Sequence, residues 1–257
     1  MKIIPTQTSL IKENDDLVQM ISDSSELEDG DIVVISSKAV AMSEGELIDL
    51  SKVKISDEAK EWTEKLERDN PNPAFRQAIL NETDRMHGKV LPSCEHAMLT
   101  EIKPDGLPSG TILAANAGLD RSNAPEGFAI GWPKDPISSA KRIRKELSDK
   151  TGKNIAVMIT DSCCRPRRVG VTAIALTVAG IDPLQSQVGK DDLFGKDLRM
   201  TEEATADQLA TAANFVMGNA DQSIPAVIIR DHKIPITDFE GWVPGIEPEE
   251  DLFKGML

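Results

Sequence analysis

Five short apolar runs constrain what this 257-residue chain can fold into. They are Asp31-Ile-Val-Val-Ile-Ser36, Thr111-Ile-Leu-Ala-Ala115, Asn154-Ile-Ala-Val-Met-Ile-Thr160, Val171 to Val178, and Ile224-Pro-Ala-Val-Ile-Ile229. Each is short and apolar at consecutive positions, the pattern of a buried strand. The turn Asp29-Gly30 leads into the first run, and Pro225 puts the last at a strand start or a sheet edge. Helical stretches fall between them at irregular intervals. The expected class is therefore α+β, with mixed α/β sheets and no doubly wound order.

The helices announce themselves by their caps. Asn14-Asp15-Asp16 precedes Leu17, Val18 and Ile21 at helical spacing, and Ser56 precedes Ala59, Trp62 and Leu66. Asn72-Pro73 opens a helix carrying Phe75 and Ile79, and Asp135-Pro136 introduces a basic helix from Ser138 to Leu147. Thr201 is read as the cap of a helix running to Met217, with Leu209, Ala213 and Val216 inward. His87 to Gly110, rich in Pro and Gly, is expected to be a loop with one short strand, and Glu247 to Asp251 a solvated tail.

Composition narrows the partners. With 29 Lys+Arg against 43 Asp+Glu the formal charge is −14, so neither nucleic acid nor an anionic membrane is expected as a partner. The absence of Tyr weakens base stacking further. No apolar run approaches the roughly 20 residues of a bilayer span, and Met1-Lys2-Ile3-Ile4-Pro5 lacks the pattern of a signal peptide. Three cysteines form no disulfide framework, which points to a reducing cytoplasm.

Neither a P-loop nor a dinucleotide-binding glycine fingerprint is present, so a nucleotide must be held by another device. Two runs share one design: Thr111 to Asp120 and Asn154 to Asp161 each carry an apolar strand into an aspartate. Such carboxylates suit Mg²⁺ or Mn²⁺, with Asn123 and Ser162 as neutral oxygens nearby, or else they cap turns. Cys163-Cys164-Arg165-Pro166-Arg167-Arg168 places three guanidinium groups beside Asp161, for phosphate or carboxylate, or else as a solvated basic turn or salt bridges to the acidic surface. Cys94-x-His96 is too little for a zinc site, and His87 and His232 read as structural or surface residues. Gly218-Asn219-Ala220-Asp221-Gln222-Ser223-Ile224-Pro225 either presents amides to a nucleotide or is a turn with Gly218 as helix cap. Asp192 is a further acidic candidate, and helical Asp207 reads as a support for other groups.

Together these residues resemble one family. Asn116-Ala-Gly-Leu-Asp-Arg-Ser-Asn123 is similar to its Asn-Ala-Gly-Ile-Asp-x-Ser-Asn, and Thr160-Asp161-Ser162 with Arg165-Pro166 and Arg168-x-Gly170 to its second block. Ser9 to Lys12 before Asp15-Asp16, Ser43-Glu44-Gly45, Gly189-x-x-Asp192-Leu-x-Gly195, Thr201, Ala206-Asp207 and Met217-Gly218 follow in order. The family is the coenzyme F-420-0:L-glutamate (γ-glutamyl) ligases. The resemblance implies one catalytic domain over 1–257 with intertwined subdomains, and a homodimer. It implies GTP, L-glutamate and an anionic acceptor as substrates, two divalent metals (Mn²⁺ or Mg²⁺) and a monovalent cation such as K⁺. On matching positions, Asp120, Asp161 and Ser162 would hold metal, and Arg165 and Arg168 would bind phosphate or substrate carboxylate. Ser9, Leu10, Ile11, Lys12, Ser37, Lys38, Asn123 and the loop Gly218 to Pro225 would line the nucleotide site.

Some positions depart from the family pattern. Met42 stands where a basic residue is usual, Cys164 where Gly precedes Arg-Pro, and Arg167 where an aromatic is common. Thr177 replaces a Gly and Ser186 an Asp. Such changes in a pocket can re-aim specificity. The resemblance implies coenzyme F-420-0 as acceptor, with a folate as the alternative within the class, and Met42 is the best sign of a third reading, a nucleotide-binding homologue without catalysis.

Overall fold

The computed structural model describes residues 1–66, 71–91 and 97–255. Its chain forms mixed parallel and antiparallel sheets with helices, the α+β class expected. The described residues divide into two compact units, one built from Met1–Leu10, Val18–Ser36 and Asp135–Val243, the other from Ile11–Leu17, Ser37–Lys134 and Pro244–Leu257. Among the described residues no helix is long and apolar enough to cross a membrane.

The first unit is organised by a six-stranded sheet in the order Lys2–Thr6, Ala226–Arg230, Ile32–Ser36, Ala156–Cys164, Val171–Ala179, Glu240–Trp242. Only Ile32–Ser36 and Ala156–Cys164 run parallel; every other neighbouring pair in this sheet is antiparallel. Ile32, Val34, Ala156, Met158, Val227 and Ile229 form one core with Leu209, Ala210 and Ala213 of the helix Thr205–Met217. The alternate residues Val33, Ile35, Val157, Ile159 and Ile228 are buried as well. A strand buried on both faces needs apolar residues at every position, which is why these runs are continuous and not alternating. Each fully buried Ile or Val contributes roughly 1.5–3 kcal/mol.

Pro225 precedes the strand Ala226–Arg230, and that strand lies inside the sheet between Lys2–Thr6 and Ile32–Ser36. The helix Pro136–Thr151 starts where expected: Asp135 accepts the Ser138 N–H and Pro136 sits in the first turn. It runs four residues beyond Leu147 before Gly152 ends it in a left-handed conformation (φ +69°). The helix expected from Thr201 begins instead at Thr205. Glu202–Glu203, which lies between, is drawn into a small ladder with Gln185–Ser186.

In the second unit the segment expected to be a loop contains more structure than its Pro and Gly content suggested. Lys89–Val90, Leu99–Ile102 and Ile112–Ala115 form a three-stranded antiparallel sheet. Gly88 makes this possible, since a Cβ there would lie 2.5 Å from the Glu101 carbonyl oxygen. Helices Asp57–Lys65 and Pro73–Arg85 are capped by Ser56 and Asn72 as the sequence indicates. The short helix Ser37–Ser43, which follows directly on Ile32–Ser36, had no cap signal. The Cys94-x-His96 pair lies outside the described residues.

Candidate active site

In the second unit, the chain leaves Ile112–Ala115 through three left-handed residues, Asn116 (φ +54°), Ala117 (φ +52°) and Gly118 (φ +76°). The Asn116 side chain supports this turn by accepting the Met98 N–H at 3.2 Å, while its own N–H reaches the Met98 carbonyl at 2.6 Å. Gly118 is obligatory for a second reason: a Cβ would stand 2.6 Å from the Trp132 ring. The turn delivers Asp120, whose backbone pairs in both directions with Ile130 at 2.9 Å.

The Asp120 carboxylate is heavily bonded. Its Oδ1 accepts the N–H groups of Arg121 (2.7 Å) and Ser122 (3.0 Å). Its Oδ2 accepts the Lys38 ammonium at 2.8 Å and the Ser122 hydroxyl. Burial pushes its pKa up, but the Lys38 and Ser122 bonds outweigh burial and hold it down at about 2. Asp120 is therefore a fixed anion, and through Oδ1 it also caps its own turn, as the alternative reading had it. Ser37, beside Lys38, is fully buried, and its hydroxyl has no hydrogen-bond partner among the described residues.

In the first unit, Asp161 sits within a strand and not at the end of one. The strand expected to stop at Thr160 continues to Cys164, because Asp161, Ser162, Cys163 and Cys164 pair in turn with Ile174, Ala173, Thr172 and Val171. The core is left behind at Thr160, and Asp161 to Cys163 are half-buried. A bulge lies just before Asp161, where the register steps from Ile159↔Thr177 to Thr160↔Ala175. Bulges of this kind bend a strand and re-aim its side chains.

The connection from Cys164 to Val171 exposes Arg165, Arg167 and Arg168, with Arg167 left-handed (φ +56°). Among the described residues none of the three forms an ion pair, which leaves the solvated basic turn and the anion site as readings of them. Arg165 Nε donates to Thr172 Oγ1 at 3.3 Å, and Cys163 Sγ lies 3.4 Å from the same hydroxyl. Burial raises the Cys163 pKa, which leaves it a poor thiolate.

Sheet topology gathers the predicted nucleotide segments of this unit. Thr6 pairs with Ala226, so the chain after Thr6 and the chain before Ala226 lie at one end of the sheet. There the Thr8 N–H donates to the Ser223 carbonyl at 3.1 Å, placing Ser9 and Leu10 next to the loop from Gly218. The Ser36 N–H donates to the Pro225 carbonyl at 2.9 Å, and Ser36 pairs in parallel with Thr160. The first unit thus brings Ser9, Ser36, the Gly218–Pro225 loop and Asp161 to the same end, where the parallel pairing stops at Ser36↔Thr160. Gly218 caps the helix Thr205–Met217 through its N–H to the Asn214 carbonyl. Asn219 to Ser223 are exposed, and Gln222 folds back on the Ala220 N–H at 2.9 Å.

Asp120, Lys38, Ile11, Lys12 and Asn123 belong to the other unit. Asn123 is exposed and left-handed (φ +53°), and Lys12 and Asp15 close a small turn. Among the described residues no three His, Cys, Asp or Glu side chains form a metal-holding group. The donors nevertheless fit Mg²⁺ or Mn²⁺, which take hard oxygens and use one or two carboxylates with substrate phosphates in place of a protein cage. Asp120, ionised throughout the neutral range, satisfies that chemistry.

Three of the five departures have local explanations, and nothing in the structure explains Cys164 or Arg167. Met42 is buried with Ala41 and Ile130, so apolar packing takes the place of a basic group. The buried Thr177 hydroxyl donates to the Pro136 carbonyl at 3.2 Å, and Ser186 bonds Glu202 at 2.6 Å. His232 is structural, set between the Gly30 carbonyl (2.7 Å) and the Ile234 N–H (3.2 Å), and His87 pairs with Asp105 at the surface. The Lys38–Asp120 pairing and the partners of Asp207 had no sequence signal, because each joins segments far apart in the chain.

A family model described as F-420-0:gamma-glutamyl ligase matches residues 5–231. The chain is 38% identical to a coenzyme F-420:L-glutamate ligase of Methanopyrus kandleri over 90% of its own length and 86% of the relative. It is 36% identical to the ligase of the same name from Methanothermobacter thermautotrophicus, covering 96% and 95%. The corresponding figures for that of Methanocaldococcus jannaschii are 40% identity, 89% and 86%.

Proposed function

The chain belongs to the F-420-0:gamma-glutamyl ligase family and is a ligase that forms an amide bond, and we propose that it joins L-glutamate to coenzyme F-420-0 with GTP as the activating nucleotide. The geometry that carries this reading is the convergence of Ser9, Ser36, the Gly218–Pro225 loop and Asp161 at one end of the sheet. Crevices at the carboxyl ends of parallel strands are where α/β sheets hold ligands.

A carboxylate resists attack by an amine, so the acceptor is activated first. One of its oxygens attacks the γ-phosphorus of GTP, GDP leaves, and an acyl phosphate forms. The α-amine of glutamate then attacks the acyl carbon, inorganic phosphate departs with the shared oxygen, and the amine proton passes to solvent. Both steps bring anions together, so catalysis rests on positioning and charge compensation. Lys38 orients the Asp120 carboxylate, and the exposed Arg165 and Arg168 are available to phosphate or to a substrate carboxylate. A divalent cation held by Asp120 and another held by Asp161 and Ser162, with a monovalent cation such as K⁺, would supply the positive charge that neutralises the phosphates. No protein nucleophile is needed.

A homodimer completes the proposal. Val169, Leu193, Phe194, Met200 and Phe215 of the first unit are almost fully exposed, apolar side chains that a second copy can cover.

Incubation with GTP or ATP, Mn²⁺, glutamate and either coenzyme F-420-0 or a folate, followed by mass spectrometry, tests the reaction. A glutamyl adduct on coenzyme F-420-0 supports the proposal, and one on folate alone reassigns the acceptor. Nucleotide binding without phosphate release for either acceptor overturns the ligase mechanism.

A further inference from the structure

The outer edge of the strand Val171–Ala179 is only half covered by another strand. Glu240, Gly241 and Trp242 pair with Ala179, Val178 and Thr177, and the Val243 N–H adds a last bond to the carbonyl of the bulged Leu176 at 2.9 Å. Beyond it, at Ala175 and Ala173, the edge is met by a helix. Asp207 Oδ1 accepts the Ala175 N–H at 2.9 Å, and Thr211 Oγ1 donates to the Ala173 carbonyl at 3.1 Å. Residues two apart on a strand present their backbone groups to one edge, and residues four apart on a helix share one face. Asp207 and Thr211 therefore act together as a substitute strand, one as acceptor and the other as donor.

The place where they do so matters. Ala175 and Ala173 are the ladder partners of Thr160 and Ser162, and Ile174 between them is the partner of Asp161. The bulge opens at this point, with Thr160 Oγ1 bonded to the Ile174 carbonyl at 2.7 Å on the inner side. We propose that Asp207 and Thr211 are positioning residues: by bonding the edge of the neighbouring strand they fix the bulge, and so the direction in which Asp161 and Ser162 leave the sheet. This role rests on the metal-holding reading of Asp161 and Ser162. It is carried by the acceptor oxygen of Asp207, not by its charge. Arg165 is near enough to favour that charge, but no ion pair joins them among the described residues.

The distinction between bond and charge gives the test. Asp207→Asn keeps an acceptor oxygen of the same size for the Ala175 amide, whereas Asp207→Ala leaves that amide with no partner on the helix. Mn²⁺ binding to the wild-type chain, by electron paramagnetic resonance, is scored first, together with amide hydrogen exchange at Ala175. For Asp207→Asn the expected result is Mn²⁺ affinity, kcat and Ala175 protection within about 3-fold of wild type, and for Asp207→Ala a loss of about 10²-fold in kcat. The Ala variant should also need more Mn²⁺ for half-maximal rate, with little change in KM for glutamate. Thr211→Val should follow Ala in direction with a smaller effect.

Wild-type Mn²⁺ affinity in a folded Asp207→Ala overturns the proposal, and so does an Asn variant as impaired as Ala. If the Ala variant fails to fold, Asn with Ala175 exchange decides alone: fast exchange in Asn refutes the role of the bond. Failure of the wild-type chain to bind Mn²⁺ sinks the metal reading instead, while Ala175 exchange still reports whether Asp207 holds the bulge.

Discussion

Lys38 Nζ lies 2.8 Å from Asp120 Oδ2 although 82 residues of chain separate them. Both side chains are partly shielded from solvent, at 21% and 43% exposure. The ammonium fixes one carboxylate oxygen, and two backbone amides fix the other. Replacing Lys38 by Met should leave Asp120 without its compensating cation and lower kcat by about 10²–10³-fold, the cost of removing one preorganised electrostatic partner. Steady-state kinetics at saturating GTP and Mn²⁺ measure this, and a kcat within 3-fold or so of wild type would count against the role of Lys38.

The same contact sets an acid limit. The Asp120 pKa is lowered from 3.8 to about 2, so its contribution to stability is fully present above pH 3.8. It is lost as pH falls toward 2. In Lys38→Met the folded-state pKa rises, and acid unfolding followed by circular dichroism should start at higher pH than in wild type.

Asp161→Asn should abolish turnover and leave the thermal midpoint nearly unchanged, because a half-buried strand residue is replaced by one of the same shape. Near-normal activity would remove Asp161 from the metal site.

Gly118→Ala should be destabilising by on the order of 3 kcal/mol. The added Cβ would meet the Trp132 ring at 2.6 Å, from a backbone at φ +76°. For a chain of this size that corresponds to a fall in Tm of roughly 6–12 °C by calorimetry.

Chelator should abolish glutamate addition, and Mn²⁺ or Mg²⁺ should restore it. Activity that survives exhaustive chelation would exclude divalent metal from the reaction.

The sheet core was readable because strands buried on both faces leave continuous apolar runs, as at Ile32–Ile35 and Ala156–Ile159. Helix starts at Ser56, Asn72 and Asp135 were readable because capping is local chemistry. The extension of a strand through Asp161 to Cys164 was not, since its residues are polar and only the facing strand Val171–Ala179 recruits them. The sheet around Leu99–Ile102 was hidden for a similar reason: pairing, not propensity, organises it between proline-rich turns. Asp120 and Asp161 were singled out by following apolar runs into carboxylates. Neither the grip of Lys38 on Asp120 nor that of Asp207 on Ala175 leaves a trace in sequence spacing.

The helix that lines the outer strand has a consequence for the behaviour of the chain in a crowded cell. An open strand edge is a template on which another polypeptide can add a strand. Asp207 and Thr211 occupy the backbone groups at Ala175 and Ala173 that such an intruder would need, and Pro5 offers no amide on the strand at the opposite edge. Damage that frees the helix Thr205–Met217 would therefore expose an adhesive edge, and the first symptom of its loss should be insolubility.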